Sequence, residues 1–258
     1  MEGDGAHRLA ARLSTLAGST VAAGELRVAA LGAVRPAGWR LGPTEAWGKH
    51  LLTRVEPGLT LHTHLRMDGS WTILGPGKVL PRRLEDDIRV RLALADGRTA
   101  VALKAPVVEL VRSWSDAVGH LGPDPLRPDW DEAEAVRRLR ADPDRPLVEA
   151  LLDQRGVSGL GNLWAVELCF LRGHHPWAPV GGVELAPLLA LARRMLRHSL
   201  EHGTHMTTTG DTRRGRSHWV YGRAGRPCLR CGTPILFRPD SGRPYERETW
   251  WCPHCQPF

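Results

Sequence analysis

The chain has 258 residues, enough for one large domain or two modest ones plus a small module, and it carries a formal charge of +7 at pH 7. A basic excess of this kind fits an acidic partner such as a nucleic-acid backbone, although the preponderance of Arg, with only three Lys, also fits a compositional bias. No apolar run approaches the ~20 residues of a membrane span and no basic-then-apolar leader opens the chain, so a cytosolic protein without a membrane partner is expected.

In chain order, Asp4 is placed to cap a helix whose Leu9, Leu13, Leu16 and Ala17 fall at helical spacing, with Gly18 as its stop. The period then changes. Leu59, Leu61, Thr63 and Leu65 alternate with their neighbours, as do Ile88, Val90, Leu92 and Leu94, and Asp96-Gly97 is a hairpin turn leading to Val101–Leu103. The first ~115 residues therefore read as a β-rich domain with an N-terminal helix. Gly122-Pro123-Asp124-Pro125 and Pro128 read as a linker. Beyond it, residues 131–140, 146–153, 162–172 and 184–200 show helical spacing, and the Gly- and Arg-rich stretch Thr207–Arg216 reads as a mobile loop.

The last ~35 residues are too few to fold on a hydrophobic core of their own. Cys228-x-x-Cys231 and Cys252-x-x-Cys255, separated by twenty residues, offer four thiolates to one tetrahedral structural Zn2+ with no position left open for catalysis. Cys169, inside a helical run, reads as a buried small hydrophobe. A zinc ribbon alone does not identify a function. Between two of the helical runs lies Gln154-Arg155-Gly156-Val157-Ser158-Gly159-Leu160-Gly161, whose glycines and following helix start suit an anion, itself a weak signal.

The string LLDQRGVSGLGNLWAVELCF at 151–170 resembles the helix-two-turn-helix signature of the formamidopyrimidine-DNA glycosylase and endonuclease VIII family. The opening Met1-Glu2-Gly3-Asp4 is similar to that family's Pro-Glu-Gly start, with Met1 where proline stands. Trp47-Gly48-Lys49-His50 resembles its lysine-bearing turn, Thr63–Ser70 its intercalating loop, and Arg247-Glu-Thr-Trp-Trp-Cys its zinc-finger arginine. Five matches fall in order along the chain.

The resemblance implies an α+β protein: an N-terminal β-sandwich with a flanking helix (1–120), a helical helix-two-turn-helix DNA-binding domain (121–206), a loop (207–221) and a zinc-ribbon β-hairpin (222–258). It implies a base-excision-repair glycosylase that removes oxidised bases from duplex DNA, pyrimidines favoured, and cleaves abasic sites by elimination. The partner is double-stranded DNA containing damaged bases or abasic sites, bound by a monomer that associates with the nucleoid.

The N-terminal amine at Met1 would attack the sugar C1′, and α-amines suit this work because they keep a larger neutral fraction near pH 7 than lysine does. A Met-Glu start is expected to keep its methionine. Glu2 would shuttle protons and Lys49 would donate one or contact a phosphate. Met67, helped by Arg66, would fill the gap left by the extruded nucleotide. Gly161 and Asn162 would hold a DNA phosphate, and Arg247 the phosphates beside the lesion. Met1 in place of proline keeps a second reading open, a catalytically impaired lesion- or DNA-binding protein of the same fold.

Overall fold

The computed structural model describes residues 1–56, 58–203 and 207–258; the expected end of the helical domain at 206 lies outside them. The chain divides into two compact units, Met1 with Gly5–His120 and Glu2–Asp4 with Leu121–Phe258.

In the first unit, two antiparallel four-stranded sheets are present among the described residues. One runs β1 (Val21–Leu26), β6 (Ile88–Leu94), β7 (Thr99–Leu103), β5 (Ser70–Leu74); the other runs β2 (Arg40–Trp47), β3 (His50–Glu56), β4 (Leu59–His64), β8 (Val107–Val111). Alternation explains the layering: Ile88, Val90, Leu92 and Leu94 are buried while the residues between them are only half-covered. Val90, Leu92 and Leu94 meet Leu41, Leu51, Val55 and Leu61 of the other sheet in one core, so the sheets form a sandwich. Helix α1 (Gly3–Ser14) adds Ala6, Ala10 and Leu13 to that core. The apolar run outlasts the helix, because Leu16 and Ala17 sit in a tight turn ending at Gly18, φ +87°.

Asp4 is not the expected cap. It lies inside the first turn of α1, fully buried, and accepts hydrogen bonds from Trp164 Nε1 (3.4 Å) and Ser199 Oγ (2.6 Å) within the second unit. A buried carboxylate needs such donors, and these side chains outbid the local backbone.

The second unit is built on α3 (Glu132–Leu139), α4 (Leu147–Leu152), α5 (Asn162–Arg172) and α6 (Leu185–His202), following the short α2 (Trp114–Val118) of the first unit. Residues Leu163 to Phe170 of α5 are all buried, which makes it the central helix of this core. The segment expected as a linker is packed instead. Gly122 N–H donates to Gln154 O (2.8 Å), Ser158 N–H donates to Pro123 O (2.9 Å), and a side chain at Gly122 would overlap the Gly156 carbonyl. Strands β9 (Leu236–Arg238) and β10 (Thr249–Trp251) pair at the C-terminus, and Ile235, Trp250, Cys228 and Cys252 join the helical core.

Candidate catalytic and nucleic-acid-binding residues

In the first unit, Lys49 sits with Gly48 in the two-residue turn joining β2 to β3, where Trp47 pairs with His50. Such a turn needs positive φ, and Gly48 supplies it at +57°. After β4 the chain makes a second tight turn, closed by Gly69 N–H donating to Leu65 O (2.9 Å). A Cβ on Gly69 would lie 2.6 Å from that oxygen, so only glycine fits. At its tip Met67 is 85% exposed, an unusual position for a large apolar side chain without a partner surface. Arg66 takes φ +47°, outside the range a side chain ordinarily tolerates. Its carbonyl accepts from the Met1 amine at 3.1 Å, and its own N–H donates to His64 Nδ1 at 3.2 Å. The unit thus brings Met1 and the Arg66–Met67 turn together.

Sequence reasoning missed the histidines beside this turn. Glu109 Oε2 and His62 Nδ1 are 3.0 Å apart, and His62 Nε2 and His50 Nδ1 are 2.8 Å apart. The carboxylate can only accept, so His62 presents its Nδ1–H to Glu109 and its Nε2 to His50 Nδ1. Burial first, then the charges of His64, His62, His120 and Lys49, push His50 down to about 3. Burial, followed by Lys49, His62, Arg66 and the N-terminal amine, pushes His64 down to about 4. Both imidazoles are therefore neutral near pH 7. The alternation His-x-His at 62 and 64 was visible in the sequence, but the partners on β3 and β8 were not.

In the second unit, α4 and α5 are joined by a turn that Gln154 stitches: Nε2 donates to Leu152 O and Leu160 O, and Oε1 accepts from Gly159 N–H. Gly159 has φ +94° and its carbonyl accepts from Gly3 N–H at 2.9 Å. Helix α5 then opens at Asn162 behind Gly161. This helix start, expected to hold a phosphate, holds a carboxylate of the chain: Glu2 Oε1 accepts from Leu163 N–H at 3.3 Å. The Glu2 carboxylate fills the space where a Cβ on Gly161 would stand, so a side chain there would displace it. Asn162 Nδ2 donates to Glu248 O at 2.8 Å, and among the described residues its buried Oδ1 has no hydrogen-bond partner.

Glu167 was also missed. It is fully buried in α5 and accepts from the backbone N–H groups of Trp219 (2.9 Å), Val220 (2.7 Å) and Tyr221 (2.8 Å), and from Thr208 Oγ1. An acid within the apolar string NLWAVELCFL was the available signal. The stretch Thr207–Arg216, expected to be mobile, is tied to this staple and bonded within itself: Thr208 N–H donates to Ser217 O, and Asp211 accepts from Arg213 and Arg216.

The four ribbon cysteines converge, their sulfurs all within 4.8 Å of one another. The pairs Cys228–Cys255 and Cys231–Cys252 stand 4.0 and 3.5 Å apart. Zn–S bonds of ~2.3 Å in a tetrahedron require S–S separations of roughly 3.8 Å, so the cluster can hold a metal ion. Arg230 N–H points at Cys228 Sγ and Cys255 N–H at Cys252 Sγ, each at 3.4 Å, which suits thiolate acceptors. Cys169 lies apart, fully buried, its thiol pushed up to about 12 by burial. Arg247 stands just before β10, half exposed, with its guanidinium 3.2 Å from Glu246 O and 3.8 Å from the Asp240 carboxylate. Arg243 is more exposed and pairs with Glu246 instead.

The family model described as the formamidopyrimidine-DNA glycosylase H2TH domain matches residues 121–211. The chain is 46% identical over 261 residues to a protein of Streptomyces coelicolor named probable endonuclease 8 2, covering 99% of this chain and 93% of that one. It is 45% identical to the DNA-(apurinic or apyrimidinic site) lyase Nei2 of Mycolicibacterium smegmatis, covering 97% and 96%. A formamidopyrimidine-DNA glycosylase of Gloeobacter violaceus is 35% identical, covering 81% of this chain and 77% of its own. Among solved structures, a Lactococcus lactis Fpg complex with abasic-site DNA superposes with a TM-score of 0.77 at 22% identity, both chains covered in full. A second complex of that protein, with DNA containing N7-benzyl-Fapy-dG, gives 0.79 at 21%, a likeness of fold.

Proposed function

Because this chain belongs to the formamidopyrimidine-DNA glycosylase and endonuclease VIII family, we propose that it is a base-excision-repair DNA glycosylase with abasic-site lyase activity, acting as a monomer on damaged duplex DNA. Oxidised pyrimidines are its favoured bases, and its place is the cytoplasm, at the nucleoid when bound. Among the described residues no helix is long and apolar enough to cross a membrane. The domains are 1–120 for the catalytic sandwich, 121–206 for the helix-two-turn-helix, 207–221 for the loop and 222–258 for the zinc finger.

The observation that carries the reading is the Met1 amine held 3.1 Å from Arg66 O, on the turn that projects Met67. In this reading the amine attacks C1′ as the base leaves, and the sugar opens to a Schiff base. Glu2, the next residue, moves protons at the sugar, and Lys49 gives a proton or binds a phosphate during β- and δ-elimination. Met67 and Arg66 fill the vacated stack. Gly161 and Asn162 bind a phosphate at the start of α5, and the Arg247 fork takes the phosphates beside the lesion. Phosphate binding there competes with Glu2 for the first-turn N–H groups, so the Glu2 contact is released as DNA seats. Cys228, Cys231, Cys252 and Cys255 hold one Zn2+, which supports the hairpin carrying Arg247.

Borohydride trapping tests the reading. With duplex DNA containing one abasic site, a covalent band whose peptide maps to Met1 is expected. Tight binding to the same DNA without a band would replace it with the second reading, a catalytically impaired binder, for which Met1 in the proline position is the motive.

A further inference from the structure

We infer that His64 is a positioning residue for the Arg66–Met67 turn, its Nδ1 holding the Arg66 N–H and with it the left-handed kink that projects Met67. The inference rests on the reading of Met67 as the side chain that enters the duplex.

The kink needs an agent. A non-glycine residue with positive φ is held only where surrounding contacts over-determine it, and Arg66 at φ +47° is such a residue. The Leu65–Gly69 hydrogen bond closes the turn around Arg66 without touching its own backbone groups. Its N–H goes to His64 Nδ1, and this is the contact that a side chain two residues earlier makes in an Asx turn, with an imidazole nitrogen in place of a carbonyl oxygen.

The contact demands an unprotonated Nδ1, since a second proton would set donor against donor. The surroundings enforce that state. His64 is mostly buried, faces Lys49, His62, Arg66 and the N-terminal amine, and meets the His50 ring edge-on at 4.5 Å. His50 and His62 are in turn fixed by the chain ending at Glu109. The cluster thus supplies a neutral acceptor in a strongly cationic neighbourhood, where an ordinary surface histidine would be partly charged.

The test uses the full-length protein with a duplex that carries a tetrahydrofuran abasic analogue opposite 2-aminopurine, whose fluorescence rises when the stack is invaded. A second duplex with one oxidised pyrimidine reports base release in a single turnover. His64→Leu should slow both the fluorescence step and base release by roughly three- to tenfold, the worth of one lost hydrogen bond. His64→Asn, whose Oδ1 can accept the same N–H, should recover to within about twofold of wild type. The wild-type fluorescence step should not weaken as pH falls through the ordinary histidine range.

An unaltered step in His64→Leu overturns the positioning role, as does His64→Asn behaving no better than His64→Leu. A loss confined to affinity, with the salt slope reduced by about one, also overturns it, because His64 would then be a phosphate contact. A wild type as silent as Met67→Ala overturns the wedge reading itself and the positioning role with it.

Discussion

Glu2 Oε1 accepts the Leu163 N–H over 3.3 Å, which sets an acid from the start of the chain on the positive end of helix α5. Glu2→Gln keeps an oxygen for that N–H and removes the charge and the proton. Base release in single turnover should fall by about two orders of magnitude or more, while affinity for abasic-analogue DNA stays within about twofold. A rate equal to wild type would remove Glu2 from the chemistry.

Arg247 is half exposed, held by one hydrogen bond to the neighbouring Glu246 carbonyl and a long ion pair to Asp240, so its fork can turn to a phosphate at little cost. Arg247→Ala should weaken binding to all duplexes alike and lower the slope of log affinity against log salt by about one. Arg243→Ala serves as the comparison and should leave that slope unchanged. Titration by fluorescence anisotropy over a range of salt concentrations checks both.

Glu167 satisfies three backbone N–H groups of Trp219, Val220 and Tyr221 at once. Glu167→Ala leaves them without acceptors around a buried gap and should cost about 2–4 kcal/mol, read as a lower midpoint in denaturant unfolding. A midpoint unmoved by the substitution would mean that the Thr207–Tyr221 stretch is held by other contacts.

Metal analysis of purified protein should give one zinc per chain. Chelation, or Cys252→Ser, should abolish it and lower the melting temperature, since Cys252 belongs both to the four-cysteine cluster and to the helical core. Cys169→Ala should retain the zinc, because that thiol stands outside the cluster.

The histidines give stability a pH dependence with a definite sign. His50 and His64 are held near 3 and 4 by burial and by their cationic neighbours, below the ordinary value of 6.5. Above that ordinary value both folded and unfolded chains leave them neutral, so they contribute no slope. As pH falls through it, the unfolded chain takes up protons that the folded chain refuses, and stability declines until the folded pKa values are reached. At pH 5 the loss is up to about 2 kcal/mol per histidine. Melting curves should show the decline, and His50→Asn with His64→Asn should flatten it.

What could be read from sequence was what repeats along the chain. The alternation of β4 and β6, the Asp96-Gly97 turn and the apolar spacing of α3 to α6 are local patterns, and each appears where its period placed it. The cysteine pairs were equally plain, because a ligand set is written as spacing. Strands β1 and β2 were harder. Their Ala-Ala-Gly-Glu and Leu-Gly-Pro-Thr runs have weak strand propensity and are held in register by β6 and β3. The partners of Asp4, Glu167 and His62 lie 195, 54 and 47 residues away at the farthest, and no local pattern encodes such pairs. Asp4 misled for that reason: acid near a helix start is the signature of a cap, and only the distant Ser199 and Trp164 show otherwise.

Gly161 contributes no side chain, yet the space beside its Cα is filled by the Glu2 carboxylate. Any side chain there would evict Glu2 from the first turn of α5. In a saturation-mutagenesis screen scored for repair, position 161 should therefore tolerate alanine better than position 2 tolerates loss of its acid, because the displaced carboxylate is the mobile end of a flexible side chain that leaves this place when DNA seats. Ranking residues by mutational intolerance would then separate the acid from the glycine whose empty side it occupies.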